Sequence, residues 1–158
     1  MNLSKIFKNA LLVMLASLVL TACATKKVQN QMQGDVYTGT DTVKYLASGV
    51  ADRVFFATNE SVLTTASRDT LRKQAEWLRK NSKINVVLEG HADERGTREY
   101  NLALGERRAN AAKDYLMTYG ISANRISVIS YGKERPINPA SSPLAWSQNR
   151  RSVTVKAN

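Results

Sequence analysis

Ile84-Asn85-Val86-Val87-Leu88-Glu89-Gly90 leads into His91-Ala92-Asp93-Glu94-Arg95-Gly96-Thr97 and then into Arg98-Glu99-Tyr100-Asn101. Ile84, Val86 and Leu88 alternate to one side, the pattern of a half-buried strand. His91 to Thr97 is a polar turn. From about Arg98 the spacing predicts a long helix that runs to Tyr119 and stops at Gly120, a residue that favours helix ends. Strand, polar turn and long helix form one β-α unit, and its neighbours extend the same alternation.

Upstream, Asp52 to Thr58 is short and apolar and reads as a strand. Thr64 or Thr65 starts a helix to about Lys80, with Leu71, Ala75 and Leu78 as its buried stripe and Trp77 at the border. Downstream, Ile126 to Tyr131 reads as a strand. Residues 132–148 hold all three prolines, Pro136, Pro139 and Pro143, and read as a loop with one short helical turn. Arg150 to Lys156 is a last strand, with Val153 and Val155 expected to face the core. The order is β-α-β-α-β-β, an α/β (α+β) fold. Two helices between three strands imply right-handed parallel crossovers. The last strand should pair antiparallel, with both helices on one face of a mixed sheet.

The N-terminus has a different character. Lys5 and Lys8 precede Ala10 to Leu20, an unbroken apolar or small run about half the ~20 residues that span a membrane. It reads as an export signal over residues 1–22. Cys23 is the chain's only cysteine, so no internal disulfide is possible. Leu20-Thr21-Ala22-Cys23 resembles the lipobox of bacterial lipoproteins, whose cysteine is acylated. That resemblance implies a chain held to a bilayer by acyl chains on Cys23. Ala24, rather than aspartate, after the cysteine implies the outer membrane, with the domain facing the periplasm. Residues 23–46 are rich in polar residues and are expected to form a flexible tether. Residues 47–158 are expected to form a single folded domain.

The formal charge is +10, falling to +8 once Lys5 and Lys8 leave. A basic balance often signals nucleic acid, but an export signal excludes that partner and leaves cell wall and anionic lipid as polyanions. His91 is the only histidine, so no zinc-like ligand set forms and no cofactor is expected. No serine or cysteine has a histidine partner in a known catalytic motif, so the chain is not expected to be an enzyme.

Asn101, Leu104, Arg108, Ala111 and Tyr115 share one face of the long helix, and Leu104, Ala111 and Tyr115 belong to its buried stripe. Arg108 therefore points toward the core edge, while Arg107 lies with Asn110 and Asp114 on the solvated face. A partly buried guanidinium needs a fixed anion or a carbonyl cluster. Asp93, in the loop after the strand, would stand at the same pocket edge. Two readings stay open: a salt bridge pinning loop to helix, or a receptor for a zwitterion in which Asp93 takes an ammonium and Arg108 forks onto a carboxylate.

Gly90 to Thr97, Glu99-Tyr100-Asn101, Leu104 to Asn110, Ser130 to Pro136 and Asn149-Arg150-Arg151 together resemble the OmpA-like peptidoglycan-binding domain family, over about Ala51 to Val155. The resemblance implies non-covalent binding of the diaminopimelate of peptidoglycan stem peptides. Asp93 would hold its ammonium and Arg108 its carboxylate. Asn101 and Arg150 would line or brace the pocket, and the backbone near Phe56, Ala57 and Thr58 would donate. The family often has Phe-Asp-Phe-Asp where this chain has Phe56-Ala57-Thr58-Asn59. Lipid-anchored members tie the outer membrane to the wall and engage the Tol system, chiefly TolB, in envelope integrity and division. Glu94, Arg95 and Thr97 are the candidate contacts for that partner. A wall hydrolase, or a wall anchor serving a system other than Tol, is the alternative.

Overall fold

A computed structural model describes residues 31–157. The expected export signal, Cys23 and the first part of the expected tether lie outside the described residues. Eight strands are present among the described residues: β1 (Met32–Gln33), β2 (Val36–Tyr37), β3 (Tyr45–Ala47), β4 (Val50–Ala51), β5 (Arg53–Phe55), β6 (Val86–His91), β7 (Ile126–Gly132) and β8 (Arg151–Lys156). The helices are α1 (Thr65–Lys80), α2 (Arg98–Thr118) and α3 (Pro143–Asn149).

The main sheet has the order β5-β8-β6-β7. β6 and β7 pair parallel, and β8 pairs antiparallel with both β5 and β6. The expected mixed sheet is present, and the last strand enters between the first two strands of the alternation. Both crossover helices pack on one face.

Capping starts each helix as the sequence suggests. The Thr64 hydroxyl accepts from the Ser67 amide, and the Thr97 hydroxyl accepts from the Tyr100 amide. Leu71, Ala75 and Leu78 of α1 are buried as expected and meet Val54, Val86, Leu88, Ala109, Ala112 and Leu116 in the core. The buried face of α2 is centred on Leu104, Gly105, Arg108, Ala109 and Ala112, with Ala111 and Tyr115 only half-buried beside it.

Two expectations are corrected. Val153 and Val155 do not face the helices. Thr154, between them, bonds through its hydroxyl to Gln74 of α1 at 2.7 Å, and Val155 is 38% exposed. Strand alternation then places Ser152 and Thr154 on the helix side and the valines opposite. Residues 31–46 are also not structureless. β1 and β2 form one hairpin and β3 and β4 another, with Leu46 buried and Tyr37 packed edge-on to Phe55 at 4.8 Å. Tyr37 and Leu46 supply the apolar contacts, and Asp35 and Asp41 the polar ones, that dock segments whose composition reads as tether.

One close approach sets the position of α2. A Cβ on Gly90 would lie 1.8 Å from the Gly105 carbonyl oxygen, and one on Gly105 would lie 2.4 Å from the Ser130 hydroxyl. Helix and sheet touch backbone to backbone there, which only glycine permits. Arg108, one turn beyond Gly105, is thereby drawn against the sheet. Among the described residues, no helix is long and apolar enough to cross a membrane.

Candidate functional site

The loops after β5 and β6, the residue before β8 and the first half of α2 converge at the carboxyl ends of β5 and β6.

Arg108 is fully buried. Its Nε donates to the Glu60 carbonyl at 2.8 Å, Nη1 to His91 at 2.9 Å and Nη2 to Ala57 at 3.0 Å. Burial, with the Arg150 charge nearby, pushes its pKa down to about 10, so it is charged at neutral pH. Arg107, by contrast, is exposed, as the helix period requires.

Asp93 does not pair with Arg108. Its Oδ2 accepts from Arg95 Nη2 at 2.7 Å and from Arg150 Nη1 at 3.4 Å, and its Oδ1 accepts from Arg95 Nε and the Arg95 amide. Burial alone would raise its pKa, but these bonds and charges outweigh burial and hold it below the usual carboxylate range. The loop-to-helix salt bridge considered from the sequence is therefore absent, and a carbonyl cluster satisfies Arg108.

Arg150 is buried and donates from Nε to the Phe56 carbonyl at 3.0 Å. Asn101 is buried and donates to the Arg95 carbonyl at 2.8 Å, bracing the loop. Phe56 is a core residue whose amide bonds the Arg150 carbonyl at 2.9 Å, so the donor role expected of its backbone is already taken. Ala57 contributes its carbonyl to Arg108. The Thr58 amide points into the cluster, and its hydroxyl accepts from Arg95 at 3.3 Å.

The residues nominated for partner contact fall differently. Arg95 lies at the centre of the cluster on Asp93, and its guanidinium stacks over Trp146 at 4.3 Å. Glu94 is exposed and accepts from the Trp146 indole at 2.8 Å. Thr97 is exposed, and its hydroxyl caps α2.

Sequence reasoning missed two participants. Trp146 of α3 was assigned to a loop. Asp35, in the β1–β2 turn, accepts from the Thr58 amide at 2.6 Å and stands 3.7 Å from Arg150 Nη2. Gly34-Asp35 between Gln33 and Val36 is a turn signal that could have revealed the hairpin; nothing local points to its destination. Two guanidiniums, Arg95 and Arg150, thus share the two carboxylates, while Arg108 is held by carbonyls alone. A cavity of about 580 Å³ lies elsewhere, between the N-terminal hairpins and α1. Among the described residues no three His, Cys, Asp or Glu side chains gather as a metal site.

A buried arginine held by carbonyls thus stands beside a paired carboxylate at the strand ends of this mixed sheet. Residues 55–150 match the OmpA family, and the chain belongs to that family. It is 45% identical over 144 residues to the Peptidoglycan-associated lipoprotein of Brucella melitensis, covering 88% of this chain and 86% of that protein. It is 43% identical over 160 residues to the protein of that name from Rhizobium meliloti, covering 98% and 91%. The crystal structure of the peptidoglycan-associated lipoprotein from Burkholderia pseudomallei superposes with a TM-score of 0.65 at 32% identity, over 67% of this chain and 90% of that one. The C-terminal domain of Helicobacter pylori MotB shares the fold at 21% identity and a TM-score of 0.63, over 68% and 84%.

Proposed function

We propose that this chain is an outer-membrane lipoprotein, acylated at Cys23, that binds peptidoglycan without cleaving it. Its ligand is the free amino acid head of diaminopimelate, and its setting is the Tol system. The observation that carries the reading is the grouping at the strand ends of Asp93, buried and ionised, with Arg150 at 3.4 Å and the carbonyl-held Arg108. A diaminopimelate head presents an ammonium and a carboxylate on one carbon. Its ammonium adds to Asp93, where it competes with Arg95. Its carboxylate faces Arg150, the Thr58 amide and the Arg108 guanidinium. Three of the five N–H groups of Arg108 are committed to carbonyls, which leaves one on each terminal nitrogen for a forked contact. Because Arg108 is fully buried, that contact requires neighbouring groups to move. The names borne by relatives across nearly the whole chain support the wall-binding role. TolB contact is assigned to the exposed Glu94 and Thr97 beside the site.

Sedimentation with purified sacculi tests the class. A binder co-sediments and leaves the wall intact, whereas release of soluble muropeptides would make the chain a hydrolase. Calorimetry with diaminopimelate tests the chemistry. Asp93→Asn should keep the fold and weaken binding about thirty-fold or more, because an amide cannot replace the charge. Acetylating the ligand's α-amine should have a similar effect on the unaltered protein. Undiminished binding of the acetylated compound would remove Asp93 from the site.

A further inference from the structure

The donors that would receive a ligand carboxylate already hold one from this chain. The Thr58 amide, 2.6 Å from Asp35 Oδ2, faces outward from the loop after β5. Arg150 Nη2 stands 3.7 Å from the same carboxylate and also donates to the Asp35 carbonyl. An amide and a guanidinium around one anion form a carboxylate site in miniature. Burial alone would raise the Asp35 pKa; its bond to Thr58 and the Arg150 charge hold it below the usual carboxylate range instead.

Asp35 reaches this place through a minimal device. Gly34, at φ +67°, turns the chain between Gln33 and Val36, and two residue pairs, Met32 with Tyr37 and Gln33 with Val36, make up the hairpin. A two-stranded hairpin is marginal alone. It is retained by Tyr37 on Phe55 at one side and by Asp35 in the cluster at the other. The Asp35 side chain is 49% exposed, so it can leave Thr58 on its own, whereas lifting the hairpin also takes buried Tyr37 off Phe55. Arg108, bonded to the carbonyl of Ala57 next to Thr58, is sealed from solvent in this closed state.

We propose that Asp35 is a built-in competitor for the carboxylate half of the site, and that ligand binding displaces it and lifts the β1–β2 hairpin. This rests on the reading of the site given above. It adds a consequence for the anchor side of the chain. Residues 31–38 double back while the site is closed. Once released they can extend at up to about 3.4 Å per residue, adding some 25 Å of reach between the domain and whatever holds its N-terminus. The site would then be weak when the tether is slack and folded, and strong when the tether is drawn out.

The test compares the full chain with its Asp35→Asn and Asp35→Ala variants. Calorimetry with free diaminopimelate should give about ten-fold tighter binding in both variants, the loss of one charge-assisted competitor. A second titration uses acetate, read at the Thr58 amide by NMR. Acetate should shift that amide at about ten-fold lower concentration in the variants than in the unaltered chain. Equal or weaker affinity in the variants overturns the proposal, since Asp35 would then be structural or part of the ligand contact. If no form of the protein binds diaminopimelate, the assignment of the ligand falls, and the acetate titration still decides whether Asp35 blocks the donors. Ligand-induced loss of amide protection at Tyr37 and Thr38 is expected; unchanged protection in the bound state would show that the hairpin stays and would overturn the displacement.

Discussion

Arg125 and Arg108 stand at opposite ends of the same sheet and perform similar local work. At the lower end, just before β7, Arg125 donates to the carbonyls of Ile84 at 2.7 Å, Asn81 at 3.0 Å and Leu78 at 3.1 Å. It closes off the end of α1 and the start of β6, and every bond it makes is to a carbonyl. At the upper end Arg108 does the same for the segments after β5 and β6. There, however, two more guanidiniums and two carboxylates crowd round it. Stapling three carbonyls needs one arginine. The additional charges exceed that structural need, and gathering them at the upper end is what a charged ligand would use.

The comparison breaks most visibly at Arg108. Arg108→Ala leaves three acceptors without their donor in a sealed site. Each such loss costs about 1–3 kcal/mol, so destabilisation on the order of 3 kcal/mol or more is expected in urea titration. Binding to sacculi should vanish as well, even under conditions where the variant is folded. Arg107→Ala, on the exposed face, should stay within about 0.5 kcal/mol and retain binding. Equal behaviour of the two variants would mean that the upper arginine carries no special role.

Arg125→Ala is the matching experiment at the lower end. Arg125 is only half-buried, so water can replace part of what it gives. A loss of about 1–2 kcal/mol is expected. Affinity per folded molecule for diaminopimelate should not change. A drop in affinity would couple the two ends through the sheet and undo the separation drawn between them.

The place of Arg108 was only partly legible in the sequence. The 3.6-residue period separates Arg108 from Arg107 without any structure, because one falls with Leu104 and the other with Asn110. The start of α1 was legible because a threonine, Thr64 or Thr65, precedes a periodic run, and that of α2 because the period begins at about Arg98. The carbonyls that receive Arg108 were not, since they come from residues 57, 60 and 91, whose backbone geometry no side-chain pattern encodes. β8 misled for a different reason. It enters the middle of the sheet in a register that sets Ser152 opposite Gly90 and Thr154 opposite Leu88 on the helix side, so its valines turn outward. Asp35 lies 115 residues from Arg150 in the chain, on a hairpin with two residue pairs, too short to show a period.

The smallest expected effect is also the one that best separates the two ends. The upper end contains two carboxylates bonded to guanidiniums and amides of the cluster. Asp93 and Asp35 both have pKa values lowered in the folded chain. The unfolded chain therefore binds more protons than the folded one below about pH 4, near the ordinary aspartate value. Their stabilising contribution is fully present above that pH and is lost as pH falls through the folded-state values. The two carboxylates accept from the amides of Arg95 and Thr58 respectively, so those two amides report on each titration. In an NMR acid titration both resonances should move with midpoints below about 3.9. The amides of Asn81 and Ile84, bonded to the Trp77 and Asn81 carbonyls, should stay still over the same range. Movement of all four together would signal global acid unfolding instead of a local event. Midpoints at or above the ordinary aspartate value would show that Arg95 and Arg150 do not hold the carboxylates ionised, and the upper end would then be as electrostatically plain as the lower.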